Sequence, residues 1–190
     1  MMAVSAPAAI LDRDGVINLD HGYVHLIEDF EFIPGALEAC RRFHLAGYRL
    51  VVVTNQAGIS RGYYDEYAFH RLTAWMQERF IEAGAPLSAV YFCPHHPDAG
   101  IEMYRIECNC RKPAPGMILQ AAAELDLNLA ASFLVGDKWS DIEAAAAAGV
   151  PRRFLVGTGH NFQHRGSRLV EATCESLYDV AVAMGLAASM

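Results

Sequence analysis

Short, mostly apolar runs alternate with segments of helical periodicity along this chain, and that alternation restricts its fold more than any other feature. The runs at 8–12, 49–53, 88–92, 132–136 and 152–156 are largely apolar at successive positions. A strand that is apolar on both sides of its pleat must be covered on both faces, as in a parallel sheet sandwiched between helices. The intervening segments carry the helical spacing. Pro34 opens one that sets Leu37, Cys40 and Phe43 on a single face ahead of Gly47, while Phe69, Leu72, Met76 and Phe80 follow at intervals of three, four and four. Segments 115–125 and 139–148 complete the series. With no internal repeat, low-complexity linker or break in composition, the pattern predicts one α/β domain over 1–190: three layers around a doubly wound parallel sheet. Ligands bind such a sheet beyond the carboxyl ends of its strands.

Composition narrows the partners. The 190 residues carry 22 acidic against 15 basic side chains, a formal charge of -7, and 53% are hydrophobic. Binding to a phosphate backbone needs a basic face, so nucleic acid is not an expected partner. The first residues lack a basic n-region, their apolar run stops at Asp12, and no apolar stretch reaches membrane-spanning length. A cytoplasmic, monomeric protein without a membrane partner is expected. Five cysteines in a chain of this size suit free thiols in a reducing compartment better than a disulfide framework.

The strand-end rule selects the polar residues. Asp12 and Asp14 end the first strand, Thr54, Asn55 and Gln56 the second, and Asp137 and Lys138 the fourth, all on one rim. Paired carboxylates, a hydroxyl, a lysine and a later carboxylate suit phosphoryl transfer, which depends mainly on positioning and charge neutralisation. One carboxylate can act as nucleophile and a second as acid and base, with a third completing an oxygen-lined magnesium site. A separate set, Cys93 and His95 followed after twelve residues by Cys108 and Cys110, has the composition of a closed tetrahedral zinc site. His96 is an alternative imidazole. Four protein ligands leave no place for water, so zinc would staple the loop 93–110 and leave the chemistry to the rim.

The segments Asp12-Arg13-Asp14-Gly15-Val16, Val53-Thr54-Asn55-Gln56, Lys112-Pro113 and Gly136-Asp137-Lys138 resemble the four motifs of the haloacid dehalogenase superfamily of phosphatases. Gly58 to Gly62, Cys93 to Pro97 and Cys108 to Pro113 are similar to the branch that acts on sugar bisphosphates. A relative sharing the zinc loop acts on histidinol phosphate and is the second reading. The similarity runs from about Ala9 to about Gly159, and beyond His160 it is weak.

The resemblance implies a fold without a large cap domain and a mechanism on named residues. Asp12 would attack phosphorus, Asp14 would supply and recover the proton, Thr54 would bond a phosphoryl oxygen, and Lys112 would offset its charge. Magnesium would be held by the Asp12 side chain, the Asp14 backbone carbonyl and Asp137. Substrate contacts would come from Asp20, His21, Gly22 and Tyr23, from Thr54, Asn55, Gln56 and Ala57, and from Arg111, Lys112 and Lys138. Arg111 and Lys138 suit a second phosphate, one as a planar fork and the other as a point charge.

Plainer readings stand beside these. A binding module that kept the fold and lost the chemistry would have no need of both Asp12 and Asp14. Cys40 shares a helical face with Leu37 and Phe43 and reads as core, as do Trp75 and Met76. Asp141 reads either as an outer partner of magnesium or as the first-turn acid of a helix. Arg13 reads as a salt-bridge residue. Cys174, His160, His164 and Arg165 carry no assigned role.

Overall fold

Strand β1 (Ala8–Leu11) lies inside a six-stranded sheet with β2 (Arg49–Asn55) on one side and β4 (Phe133–Gly136) on the other. In the computed structural model, residues 5–158 and 167–186 are described; His160, His164 and Arg165 lie outside them. β3 (Leu87–Cys93), β5 (Arg152–Val156) and β6 (Ala172–Cys174) extend the sheet to the order β3-β2-β1-β4-β5-β6, with every pairing parallel. Ile10 sits opposite both Val51 and Leu134.

The successive apolar residues of each strand feed two cores. Ala9, Leu11, Leu50 and Val52 point into one, with Phe43 of α1 (Ala36–Leu45), Leu72, Met76 and Phe80 of α3 (Glu66–Glu82) and Leu177 of α6 (Leu177–Ala183). Ala8, Ile10, Val51 and Val53 point into the other, against Met117 and Ile118 of α4 (Gly116–Leu125) and Ile142 of α5 (Trp139–Ala147). The short α2 (Ala57–Ser60) follows β2 directly. Phe133 lies within the first core, with ring centroids 4.9 Å from Phe43 and 5.0 Å from Tyr48. Side chains buried this completely typically cost about 3–5 kcal/mol when a phenylalanine is cut to alanine.

The expected five strands and four helical segments are all present, including the buried face of Cys40 and Phe43 and the buried row Phe69, Leu72, Met76 and Phe80. Met76 is core, and Trp75 is partly buried against Phe30 and Phe32. One expectation is corrected at the C-terminal end. The region after 160, expected to fall away from the similarity, continues the fold with β6 and α6. These elements have three and seven residues, too few to show a period in the sequence.

The chain fills β1, β2 and β3 outward on one side, then returns past β1 to start β4 on the other. This reversal opens a crevice at the carboxyl ends of β1 and β4. The described residues between β1 and α1 form loops and a single 3-10 turn, Ile27–Asp29, and hold no large cap. No helix among the described residues is long and apolar enough to cross a membrane.

Candidate active site

Asp12 is the first residue beyond β1, its N–H bonded to the Val135 carbonyl of β4 at 3.0 Å. The strand pairing therefore aims its side chain into the crevice. The following turn is tight: Gly15 has φ +85°, and a Cβ there would lie 2.3 Å from Asp137 Oδ2, so any other residue would push into the carboxylate. Asp137 occupies the same position after β4. Asp12, Asp137 and Asp141 are all buried and each offers an oxygen within 4.8 Å of the others.

Electrostatics follow from this crowding. Burial, opposed by Lys112 and reinforced by Asp141, raises the Asp12 pKa to about 6. Burial, followed by repulsion from Asp12, raises that of Asp137 to about 8. Lys112 enters as the counter-charge, its Nζ 2.9 Å from Asp12 Oδ1, 2.7 Å from Asp141 Oδ1 and 2.8 Å from the Val53 carbonyl. Burial works to lower the Lys112 pKa, but the two carboxylates outweigh it and the net shift is upward. The donor set is all oxygen and rich in negative charge, so a hard divalent cation fits it and would relieve the repulsion.

Lys112 owes its position to β2. Asn55 clamps its backbone in both directions: Nδ2 donates to the Lys112 carbonyl and Oδ1 accepts from its N–H, each at 3.1 Å. Thr54, one residue earlier, is 1% exposed and accepts a bond from Gln56 Nε2 at 2.9 Å. Asp14 is not among the clustered carboxylates. It pairs with Arg13 at 3.0 Å and accepts from Asn18 Nδ2 at 3.0 Å and Gln56 Nε2 at 3.1 Å. Arg13 is thus the salt-bridge residue expected.

Above these groups lies a cavity of about 540 Å³. Asp14, Asp20, Gly22, Tyr23, Asn55, Gln56, Ala57, Arg111, Lys112 and Lys138 all line it. His21 does not; it borders an adjacent hollow with its Nε2 3.7 Å from Glu31. Asp12, Thr54 and Asp137 lie among the buried residues below. Lys138 reaches Asp20 at 3.2 Å and Asp137 at 3.8 Å, and Arg111 Nη1 bonds the His95 carbonyl at 3.2 Å. Tyr64 lines the cavity as well and was missed by sequence reasoning, because nothing at Gly62-Tyr63-Tyr64 distinguishes it from turn residues before the Asp65 helix cap.

The loop between β3 and α4 brings Cys93, His95, Cys108 and Cys110 together. Their sulfurs are 3.2 to 3.6 Å apart, and His95 Nδ1 is 3.5 Å from Cys110 Sγ and 3.9 Å from Cys93 Sγ. Ligands on a tetrahedral zinc would be about 3.5–3.8 Å apart, so the cluster fits that ion. His96 instead accepts the Asp98 N–H at 3.2 Å, which leaves His95 as the imidazole of the set.

Comparison with known proteins finds relatives along nearly the whole chain. The HAD-hydrolase-like family matches residues 109–180. A D-glycero-beta-D-manno-heptose-1,7-bisphosphate 7-phosphatase of Yersinia pestis is 46% identical over 183 residues, covering 96% of this chain and 97% of its own. The same-named protein of Vibrio cholerae is 48% identical, covering 93% and 95%. The similarity therefore extends past the expected limit at residue 159. A crystal structure of D,D-heptose 1,7-bisphosphate phosphatase from B. bronchiseptica, complexed with magnesium and phosphate, superposes with a TM-score of 0.82 at 35% identity, covering 94% of this chain and 97% of that one. With its rim of carboxylates on a shared fold and relatives at this identity along nearly its whole length, the chain belongs to the haloacid dehalogenase-like hydrolases, in the same family as the heptose-bisphosphate phosphatases.

Proposed function

We propose that this chain is a magnesium-dependent phosphatase that removes the C7 phosphate of D-glycero-D-manno-heptose 1,7-bisphosphate, as a step toward nucleotide-activated heptose. The observation that carries the reading is the placement of Asp12 beside Lys112 and Asp137 under a polar cavity bounded by Arg111 and Lys138.

In the first half-reaction an Asp12 carboxylate oxygen bonds to phosphorus as the bond from phosphorus to the C7 oxygen breaks. Asp14, entering protonated, gives that oxygen its proton. In the second, Asp14 takes a proton from water, the water oxygen bonds to phosphorus, and Asp12 departs with phosphate released. Thr54 Oγ1 already accepts from Gln56, so its own proton is available to a phosphoryl oxygen. Lys112 offsets charge beside Asp12. The Asp12 side chain, the Asp14 backbone carbonyl and Asp137 would hold magnesium, which when bound would supply the charge neutralisation that a phosphate dianion needs beside two carboxylates.

Zinc on Cys93, His95, Cys108 and Cys110 is structural in this reading: it ties down the loop that leads into Arg111 and Lys112. Arg111 and Lys138 bind the phosphate that is not cleaved, with Asp20, Gly22, Tyr23, Asn55, Gln56 and Ala57 contacting the sugar. The chain acts as a cytoplasmic monomer on this small molecule. Histidinol phosphate is the second reading, and the two half-buried cations that line the cavity, Arg111 and Lys138, favour a bisphosphate over it. Phosphate release from the α and β anomers of the heptose bisphosphate and from histidinol phosphate tests the assignment. The β bisphosphate, for which the curated relatives are named, is expected to give the highest kcat/KM, and a preference for histidinol phosphate would reverse the choice.

A further inference from the structure

The Gln56 side chain, 2% exposed, joins two groups that the reaction uses separately. Its Nε2 donates to Thr54 Oγ1 at 2.9 Å and to Asp14 Oδ2 at 3.1 Å. One amide nitrogen thus spans the hydroxyl that would hold the phosphoryl group and the carboxyl that would move the proton. An amide has unlike ends, and this span exists only if Oε1 faces the other way. There it accepts the Tyr64 hydroxyl at 2.5 Å, with Arg13 Nη2 more distant at 3.5 Å. If the amide were turned around, its NH2 group would face the Arg13 guanidinium, which is repulsive, and its oxygen would face Asp14, where it could accept the proton that the leaving group needs.

Tyr64 is held for this contact. Its ring stacks on His25, with centroids 4.7 Å apart and planes within 5°. It also occupies space that only a glycine leaves open, since a Cβ at Gly58 would lie 2.2 Å from Tyr64 Cε1. Burial raises the phenol pKa, so the hydroxyl keeps the proton it donates.

We propose that Tyr64 is a positioning residue for proton transfer: by locking the Gln56 amide in one orientation it sets Asp14 at a fixed distance from the phosphoryl group bound by Thr54. The inference rests on the proposed phosphatase reading and adds a residue to it. General acid catalysis typically supplies about 10²–10⁴ in rate, and a mispositioned acid forfeits part of that. An alcohol cannot leave readily without a proton, whereas p-nitrophenolate can. Loss of acid positioning should therefore depend on the leaving group.

The experiment compares kcat and KM of the full-length magnesium-loaded enzyme and Tyr64→Phe on heptose 1,7-bisphosphate and on p-nitrophenyl phosphate, with Tm for both proteins. The Tyr64→Phe change keeps the ring and its stacking but removes the main donor to the buried Gln56 Oε1, so Tm should fall by only a few degrees and the protein should stay folded at the assay temperature. The expected result is a kcat/KM about tenfold lower on the heptose bisphosphate and changed less than about twofold on the aryl phosphate, because kcat/KM reports the leaving-group step and not the later hydrolysis of the aspartyl-phosphate that both substrates share. An equal loss of kcat/KM on both substrates, or no change at all, would overturn the proposal. If the wild-type enzyme leaves the heptose bisphosphate intact, the substrate assignment fails separately. The Tyr64 comparison then runs on whichever alkyl phosphate is hydrolysed, histidinol phosphate first.

Discussion

Lys112 and Asp141 form an ion pair of 2.7 Å between side chains that are only 2% and 1% exposed. The same Asp141 carboxylate accepts the Lys138 N–H at 3.0 Å and so caps the start of α5. The sequence allows Asp141 either as the first-turn acid of a helix or as an outer partner of magnesium. It is a first-turn acid of a helix, and it also steadies the ammonium that sits beside Asp12.

Asp141→Asn keeps an acceptor for the helix cap but removes the charge facing Lys112. The expected loss of stability is about 1.5–3 kcal/mol, the scale of a hydrogen bond to a charged group. Urea unfolding measures it. A loss below about 0.5 kcal/mol would mean that Asp12 alone satisfies Lys112.

Crowding of the carboxylates gives the magnesium-free protein a pH signature. Asp137 is raised in the folded state to about 8 from an unfolded value of about 4, so the folded protein holds a proton that the unfolded chain has lost between those pH values. Stability from this group is therefore complete below about pH 4 and declines as pH rises toward 8, by at most about 1.4 kcal/mol per unit. Asp137→Asn should lack that decline, and magnesium should raise Tm at pH 8 in wild type but not in the variant. Parallel pH profiles for the two proteins would contradict the assignment of Asp137.

The fold was legible because each central strand is apolar on both faces, as Ile10 and Leu11 illustrate by entering opposite cores. The strand-end rule then placed Asp12, Thr54 and Asp137 together without any knowledge of side-chain contacts. What stayed hidden depends on distances across the sheet. Tyr64 reaches Gln56 only because the turn after α2 folds back over it, and Asp141 reaches Lys112 only because Asn55 and the Val53 carbonyl of β2 hold the loop after β3 over the crevice. His21 illustrates the converse: adjacent in sequence to cavity residues, it turns instead toward Glu31.

The zinc assignment can be read by counting thiols. Cys40 is 0% exposed, and burial raises its pKa, so it should not react in the folded state. With zinc bound, a disulfide reagent should modify at most one thiol, Cys174. A chelator should add Cys93, Cys108 and Cys110, and denaturant should add Cys40. Cys108→Ser should also lower activity by loosening Arg111 and Lys112. Four reactive thiols in protein purified without chelator would count against a bound ion.

Arg111 should matter only when a second phosphate is present. Arg111→Ala is expected to cost about 1.5–3 kcal/mol in kcat/KM on the heptose bisphosphate and little on a monophosphate. Equal losses would move Arg111 to the reacting phosphoryl group or to support of the loop, since it also bonds the His95 carbonyl.

The nucleophile is tested most directly by following both phosphates of heptose 1,7-bisphosphate by 31P NMR with magnesium present. Wild-type protein should remove the C7 resonance and leave the C1 phosphate, while folded Asp12→Asn should leave both untouched. Loss of the C1 phosphate, or turnover by Asp12→Asn, would contradict the account.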